Sequence, residues 1–270
     1  MISYHALKIE AHKLWGHRHF MLSSISGEIK RRFIKSKFGT AWFILQPLLQ
    51  SIIYAVVLSE LMAARMPEVP IKSAFAIYLM AGMAAWGLFS EIVTRCTTVF
   101  IEYSALLKKI SFPRLCLVGV VCGTALLNHI ILLAVLAIVT IFLGRGPTIV
   151  WALLPISIIL IMIFAVGLGL LVGIFNVFLR DINQILNVAL QIWFWLTPII
   201  YVNNILPKHL RWINDVNPIT PLVDFYQRIM LYQSMPNWPS LIMPAIVAVS
   251  LLALALLIFS RASADLVDEL

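Results

Sequence analysis

The sequence predicts an all-α integral membrane protein with six transmembrane helices. Hydrophobic residues make up 61% of the chain and charged residues only 12%, whereas soluble domains carry about a quarter charged residues. Apolar runs of the length needed to span a bilayer, about 20 residues, alternate with short polar segments. The net charge of +8 is concentrated before the first apolar run instead of being spread along the chain.

Residues 1–38 are predicted to form a cytoplasmic segment. The first apolar run begins near Ala41, after a long basic stretch, and no small-residue cleavage site follows it. We therefore expect no secretory signal and a retained first span. In a soluble protein such a basic cluster could indicate nucleic-acid binding. Next to a membrane span, the simpler interpretation is that it contacts an anionic leaflet and keeps this segment in the cytoplasm. The cations of this cluster are Lys8, Lys13, Arg18, Lys30, Arg31, Arg32, Lys35 and Lys37.

Part of this segment is predicted to be an amphipathic interface helix. Leu22, Ile25, Ile29 and Phe33 recur at three- and four-residue steps, which is the pattern of a helix lying in the headgroup plane. A disordered basic tail is the alternative, and the periodicity favours the helix. The basic residues elsewhere on its helical wheel are Lys30, Arg31, Arg32 and Lys35.

Apolar runs divide residues 39–260 into six spans, and residues 261–270 are predicted to form a cytoplasmic tail. Between spans 5 and 6, Leu222, Phe225 and Tyr226 fall at helical spacing, so short re-entrant or surface helices are expected in this external segment. The approximate spans are 41–62, 73–100, 115–143, 149–178, 185–198 and 239–260.

Polar residues inside the spans are expected to face protein or water, because bare polar groups facing lipid are costly. Gln46 and Gln50 are four residues apart and share one face of span 1. Glu91 and Arg95 can pair on one face of span 2, and an internal salt bridge is favoured over a proton relay. His129 in span 3 is expected to be a hydrogen-bonded packing residue and not a proton site, since no acidic residue lies in that span.

Two glycine pairs predict close helix contacts. Gly119 and Gly123 in span 3, and Gly169 and Gly173 in span 4, follow the small-xxx-small spacing that lets helices approach each other. The cysteines show neither zinc nor redox spacing, and they are expected to be small buried hydrophobic residues. They are Cys96, Cys116 and Cys122.

Residues 101–114 form the largest predicted cytoplasmic loop. Leu106, Leu107 and Ile110 fall on one helical face, with Lys108 and Lys109 off it, which predicts a short amphipathic helix on a membrane surface. We expect it to stop near Phe112, since Pro113 follows and the residue before a proline avoids the α region.

The distribution of Lys and Arg predicts the orientation. Six spans put both termini on one side, which holds thirteen of these cations against six on the other, so both termini are expected in the cytoplasm. The six on the far side are Arg65, Lys72, Arg145, Lys208, Arg211 and Arg228.

The sequence lacks the patterns of several membrane functions. It contains no G-x-x-x-x-G-K-[ST] phosphate loop, H-E-x-x-H or G-x-S-x-G, and no intramembrane pair of carboxylates, so ATP binding of that kind and hydrolysis find no support. The two halves of the sequence show no inverted repeat with paired broken helices, which is the feature that would indicate a secondary transporter.

Six segments between about residues 30 and 260 together resemble the signature of ABC-2-type exporter permeases. The likeness is greatest to the branch that exports bacterial surface polysaccharides, with O antigen, capsule and teichoic acid all open. The segments are NVFLRDIN (176–183), WLTPIIY (195–201), NPITPLVDFY (217–226), LKKISFPR (107–114), FGTAW (38–42) and QP (46–47).

The resemblance implies a six-span ABC-2 domain over residues 39–260 in a homodimer bound to two copies of a separate ATPase, in the bacterial inner membrane. ATP and Mg are then bound by that partner, with no cofactor in this chain. A lipid-linked polysaccharide would pass between the subunits along spans 1, 2 and 5, and aromatic faces can stack on sugars without fixing one register. The predicted path residues are Gln46, Gln50, Tyr54, Tyr78, Trp86, Trp193 and Trp195. The predicted ATPase-coupling residues are Glu102, Tyr103, Leu107, Lys108, Lys109, Phe112 and Arg114.

Two other functions stay open. One is an ABC-2 exporter of a small hydrophobic drug or lipid. The external segment and the aromatic path residues favour a polymer over such a substrate. The other is a membrane glycosyl- or acyltransferase, which needs a carboxylate or His cluster at a membrane boundary, and the sequence shows none.

Overall fold

The computed structural model describes residues 15–33, 42–53, 73–109, 112–202, 207, 209, 211–262 and 269, and over these ranges the chain is helical without strands. Ten α-helices follow one another in the described part, together with 3-10 turns at Ile149–Leu153 and Trp238–Leu241 and a π turn at Arg228–Tyr232. They are α1 (Arg18–Phe33), α2 (Trp42–Ile53), α3 (Ala74–Glu102), α4 (Ser104–Lys109), α5 (Leu115–Phe142), α6 (Leu154–Phe178), α7 (Ile182–Leu196), α8 (Trp212–Val216), α9 (Thr220–Gln227) and α10 (Ile242–Ala262).

Four helical stretches of the described chain are long and apolar enough to cross a membrane. They are α3, α5, α6 with its preceding turn, and α10 with its preceding turn, and they agree with predicted spans 2, 3, 4 and 6 to within a few residues. Helix α7 has only 15 residues, about 22 Å, which is less than the roughly 30 Å hydrocarbon core. Of predicted span 1, the structure describes only α2, so the six-span arrangement stays a prediction.

Helix α3 lies at the centre of the bundle and packs against α5, α6 and α9. The approach of α6 is closest at its glycines, as the spacing predicts. A Cβ placed on Gly169 would lie 2.8 Å from Cys96 Cβ, and one on Gly173 would lie 2.6 Å from Cys96 O. Because the second neighbour is a backbone atom, no side-chain rotation can relieve that contact. Cys96 itself is fully buried, as expected.

Helix α1 packs along α5 at the other predicted glycine pair. Met21 faces Gly119 and Ile25 faces Gly123, which confirms the close-packing prediction and identifies the partner. Leu22, which the sequence places on the apolar face of α1, is 63% exposed and takes no part in this contact, and the role of α1 as an interface helix stays a prediction. The glycine groove of α5 admits Met21 and Ile25, which turns Leu22 outward.

The loop after α3 contains the predicted short helix. In α4, Leu107 is buried whereas Lys108 and Lys109 are exposed, which confirms its amphipathic character. Residues 110 and 111 lie outside the described residues, and the chain resumes at Phe112.

The segment between α7 and α10 contains short helices, as predicted. Phe225, Tyr226 and Ile229, in α9 and the following π turn, are at most 1% exposed. They pack into the bundle because α9 lies against α3 and α6. Two hydrogen bonds tie the end of this segment to the turn after α5: Arg145 Nε donates to Leu231 O at 3.0 Å, and Gln233 Nε2 donates to Gly146 O at 2.9 Å.

Candidate functional site

The C-terminal end of α7 is held by one asparagine. Asn217 Oδ1 accepts hydrogen bonds from Trp193 Nε1 at 2.8 Å and from the backbone N–H of Ile219 at 3.1 Å. Its Nδ2 donates to Thr197 Oγ1 at 3.0 Å, and that hydroxyl donates to Trp193 O at 2.8 Å. The side chain of Asn217 thereby joins the end of α7 to the beginning of α9.

The turn after α7 is held by two further side chains. Gln227 Nε2 of α9 donates to Pro198 O at 3.1 Å. Tyr78 Oη of α3 lies 3.0 Å from Pro198 O and 3.1 Å from Tyr201 O, within hydrogen-bond distance of both carbonyls. The side chain of Tyr201 itself carries a neutral phenol at physiological pH, and burial raises its pKa further above the ordinary value. Helices α3 and α9, both distant from α7 in sequence, therefore fix the direction in which α7 ends.

Aromatic rings pack α7 against α3 and α6. The ring of Trp193 meets those of Phe89 and Phe164 edge to face, with centroids 5.4 and 6.2 Å apart, and Trp86 meets Phe194 at 5.6 Å. Edge-to-face contacts of this kind stabilise a packed interface beyond the area that they bury. The aromatic residues thus form the inner side of α7.

The predicted path residues divide into buried and exposed groups. Tyr78 and Trp86 are 5% and 7% exposed, and Trp193 is half-buried, so their side chains lie within the subunit. Trp195 is 60% exposed because two residues along a helix turn a side chain to nearly the opposite face. Gln46 and Gln50 are also exposed, and Tyr54 lies outside the described residues.

One stripe of α3 reaches the surface between α2 and α7. Met83, Gly87, Ser90 and Thr94 lie along it at three- and four-residue steps and are half-buried in a helix that is otherwise largely buried. A Cβ on Gly87 would meet no atom within 4 Å. On the α2 side, a cavity of about 210 Å³ is lined by Pro47, Gln50, Met80, Met83, Ala84, Gly87, Leu132 and Leu136. We refer to the surface along the α3 stripe, between α2 and α7, as the α3 groove.

At the Glu102 end of α3, charged residues connect three helices. Arg95 Nη2 lies 2.5 Å from Glu28 Oε1 of α1, and Arg95 Nη1 lies 3.6 Å from Glu91 Oε1. Thr124 Oγ1 of α5 donates to Glu28 Oε2 at 3.2 Å, and Asn128 Nδ2 donates to Glu91 Oε1 at 2.8 Å. The predicted Glu91–Arg95 pair is confirmed.

Sequence reasoning missed Glu28 as a partner of this pair, although a signal was available. Glu28 is the only acidic residue between Glu10 and Glu60. A lone carboxylate in a basic segment suggests a specific cationic partner, and here that partner lies 67 residues further along the chain.

Two of the predicted coupling residues, Glu102 and Tyr103, lie next to this charged cluster. A cavity of about 380 Å³ is bounded by Glu28, Arg95, Val99, Glu102, Tyr103, Leu117, Val120 and Val121. Thr98 Oγ1 donates to Glu102 Oε1 at 2.6 Å, and the rings of Phe20 and Phe112 pack with centroids 5.1 Å apart. Arg114 is half-buried, and Lys30 of α1 is exposed. The side chains of Arg31 and Arg32, and all of Lys35, lie outside the described residues. The structure thus places α1 against the loop that follows α3.

The remaining polar residues of the described bundle indicate structural roles. His129 Nε2 and Tyr226 Oη lie 2.8 Å apart and both side chains are buried, which confirms the expected hydrogen-bonded packing histidine. Among the residues that the structure describes, no three His, Cys, Asp or Glu side chains are grouped so that they could hold a metal ion.

Four apolar helices long enough to cross a membrane, with polar groups facing a groove and a charged cluster at one end, define a multi-pass membrane protein. The family model described as ABC-2 type transporter matches residues 21–231, so the chain belongs to that family. Its members are the membrane subunits of transporters.

Curated relatives of this chain are permeases. The chain is 26% identical to the O-antigen export system permease protein RfbA of Myxococcus xanthus, over 96% of this chain and 98% of that protein. Two proteins of the same name from Klebsiella pneumoniae are 25% and 24% identical, over 76% and 73% of this chain and 77% and 74% of theirs.

Proposed function

We propose that this chain is the permease subunit of an ABC exporter that moves a lipid-linked surface polysaccharide of the O-antigen class across the bacterial inner membrane. The observation that carries this proposal is the likeness to an O-antigen export permease over almost the full length of both chains. The word permease in the relatives' names agrees with a sequence that has no phosphate loop of its own.

A separate ATPase supplies the energy, and two copies of it bind a homodimer of this chain. The likeness to an export system supports an ATPase partner, because ABC transporters divide transport and ATP hydrolysis between domains or subunits. ATP and Mg are held by the partner. The cation asymmetry supports cytoplasmic termini, and with them an N-terminal interface helix on the cytoplasmic side.

The α3 groove is proposed as this subunit's part of the translocation path. It is open along Gly87, its surface includes the half-buried Ser90 and Thr94, and it lies between the two helices that carry Gln50 and Trp195. Hydroxyls and amides can exchange hydrogen bonds with a passing sugar chain, and an exposed indole can stack on it. The buried Trp86 and the half-buried Trp193 support the wall of this groove from inside the subunit.

The loop 102–114 is proposed as the site that the ATPase pushes. Its exposed Lys108 and Lys109 stand on a helix anchored by the buried Leu107, and Phe112 rests on Phe20 of α1. The half-buried pair of Glu28 and Arg95 then connects α1 to α3, whose open stripe forms the groove. A push on this loop can therefore reach the path through packed helices.

The test is complementation of a strain that lacks its O-antigen permease and retains the matching ATPase and polymer. The proposal predicts that this chain restores glycan at the cell surface and that the ATPase co-purifies with it. An assembled ATPase complex that moves a hydrophobic dye but no glycan would favour the small-molecule exporter. Failure of both export and ATPase binding, in a chain inserted normally, would contradict the proposal.

A further inference from the structure

The outer surface of α7 separates into two edges of different chemistry. Asn187 and Gln191 are exposed, as is Gln184, and steps of three and four residues place the three amides on one edge of the helix. The neighbouring edge is aliphatic, with Ile185 and Ile192 at 65% and 57% exposure. We call these the amide edge and the aliphatic edge.

The amide edge lies beside the α3 groove. Phe194 follows Gln191 by three residues and so borders it on α7, and the ring of Phe194 packs on Trp86 of α3. On α3, Ser90 follows Trp86 by four residues and so belongs to the adjacent stripe. On the opposite side of α7's inner face, the ring of Trp193 contacts Phe164 of α6. The amides therefore line the groove, and the aliphatic edge points away from it.

The chemistry of the amide edge excludes lipid as its neighbour. Within the described ranges, the side chains of Gln184, Asn187 and Gln191 make no hydrogen bond to another residue. An amide placed in hydrocarbon without a partner costs several kcal/mol. Three such groups in register on one edge of the helix require a neighbour that can both donate and accept hydrogen bonds. Hydroxyl groups of a glycan meet this requirement, because each can do both.

We propose that Asn187 and Gln191 of α7, together with Ser90 of α3, contact the hydroxyl groups of the glycan as it passes along the α3 groove. This inference rests on the proposed export function and adds the polar contact residues. Amides spaced about one helical turn apart offer equivalent partners at successive depths. A chain can then replace one hydrogen bond by the next while Trp195, at 60% exposure, offers a stacking face in the same groove.

The test is the export rate of surface glycan in the complementation strain. Asn187→Leu with Gln191→Leu removes the hydrogen-bonding groups and keeps the bulk. We expect export to fall at least about fivefold, the effect of losing roughly one net hydrogen bond. The matched control on the aliphatic edge, Ile185→Leu with Ile192→Leu, should export at the normal rate. The conservative exchange Asn187→Gln with Gln191→Asn should restore most of the rate.

Three results would overturn the inference. Normal export by the double Leu variant would show that the amides are not needed. Dissociation of the copies of this chain, seen as a halved particle mass in the same variant, would show that the amides join subunits.

If the double Leu variant does not accumulate, single cysteines at 187 and 191 replace it. The unsubstituted chain then measures how far the native thiols react. Reaction with a water-soluble thiol reagent that the polymer slows supports the inference, and reaction that the polymer leaves unchanged refutes it. In each case the unsubstituted chain separates the two proposals, since export by that chain upholds the function even where the amide contacts are wrong.

Discussion

The indole Nε1 of Trp193 donates a hydrogen bond of 2.8 Å to Oδ1 of Asn217, which connects the end of α7 with the segment that leads into α9. The two residues are 24 positions apart, and Asn217 begins one of the segments that resemble the family signature. The same asparagine binds Thr197 and Ile219, so one side chain determines how α7 ends.

Replacing Asn217 by Leu should therefore destabilise the protein. The substitution leaves the indole N–H of Trp193 and the N–H of Ile219 without their acceptor, and such losses cost about 1–3 kcal/mol each. Thermal unfolding in detergent should show a lower midpoint for this variant. Asn237→Leu is the control, because Asn237 is exposed. Equal midpoints for the two variants would contradict the role given to Asn217.

The contact between α3 and α6 depends on the absence of a side chain at Gly173. Gly173→Ala should lower the unfolding midpoint, because its Cβ would lie 2.6 Å from the carbonyl oxygen of Cys96 and the helices must separate. Overpacking of this kind costs about 1–3 kcal/mol. Gly87→Ala is the matched control for stability, since a Cβ there meets no atom within 4 Å. A Gly173→Ala variant as stable as Gly87→Ala would refute the packing argument.

The pair of Glu28 and Arg95 should couple α1 energetically to α3. In a double-mutant cycle with Ala at both positions, we expect an interaction free energy of about 1–3 kcal/mol. The two side chains are only 15% and 22% exposed and belong to different helices. Asp224 and Arg228 provide the comparison: they are 39% and 41% exposed and lie within one helical stretch, so their coupling should stay below about 1 kcal/mol. Equal couplings for the two pairs would argue against a specific tie between α1 and α3.

Substitutions in the loop 102–114 should leave folding and membrane insertion normal but impair transport. Lys108→Glu with Lys109→Glu should reduce both glycan export and transport-linked ATP hydrolysis while membrane insertion stays normal, since both side chains are exposed. Lys108→Arg with Lys109→Arg keeps the charge and should preserve most of both activities. Unimpaired export by the Glu variant would remove these lysines from the coupling surface.

Most of the helical architecture follows from local patterns in the sequence. Long apolar runs mark α3, α5, α6 and α10, because only a helix satisfies the backbone over such lengths in lipid. The spacing of Gly169 and Gly173 indicates a close contact before its partner is known. The contact of Glu91 with Arg95 follows from their four-residue separation on one helix.

Features that depend on a second, distant element could not be predicted in this way. Helix α1 turns Met21 and Ile25 toward α5, whereas the sequence pattern predicts only an apolar face, with Leu22 and Ile25 on it, for the membrane surface. That choice is made by Gly119 and Gly123 of α5, which no periodicity within α1 reveals.

The two tryptophans of α7 illustrate the same limit. Trp193 and Trp195 are close in sequence, and the sequence analysis predicts both as path residues. The structure places Trp193 against α3 and α6 and leaves Trp195 exposed. Which face of an amphipathic helix points inward is decided by its packing partners, and it is the packing of α7 on α3 and α6 that leaves its amides exposed.

The central claim is most directly tested by measuring glycan transport across a membrane that contains only this chain and its ATPase. Both subunits are reconstituted in proteoliposomes with lipid-linked O antigen, and the glycan that reaches the opposite side is quantified over time. The account predicts translocation that requires ATP, the ATPase and this chain together. Active ATP hydrolysis without glycan movement, or equal movement without ATP, would contradict it.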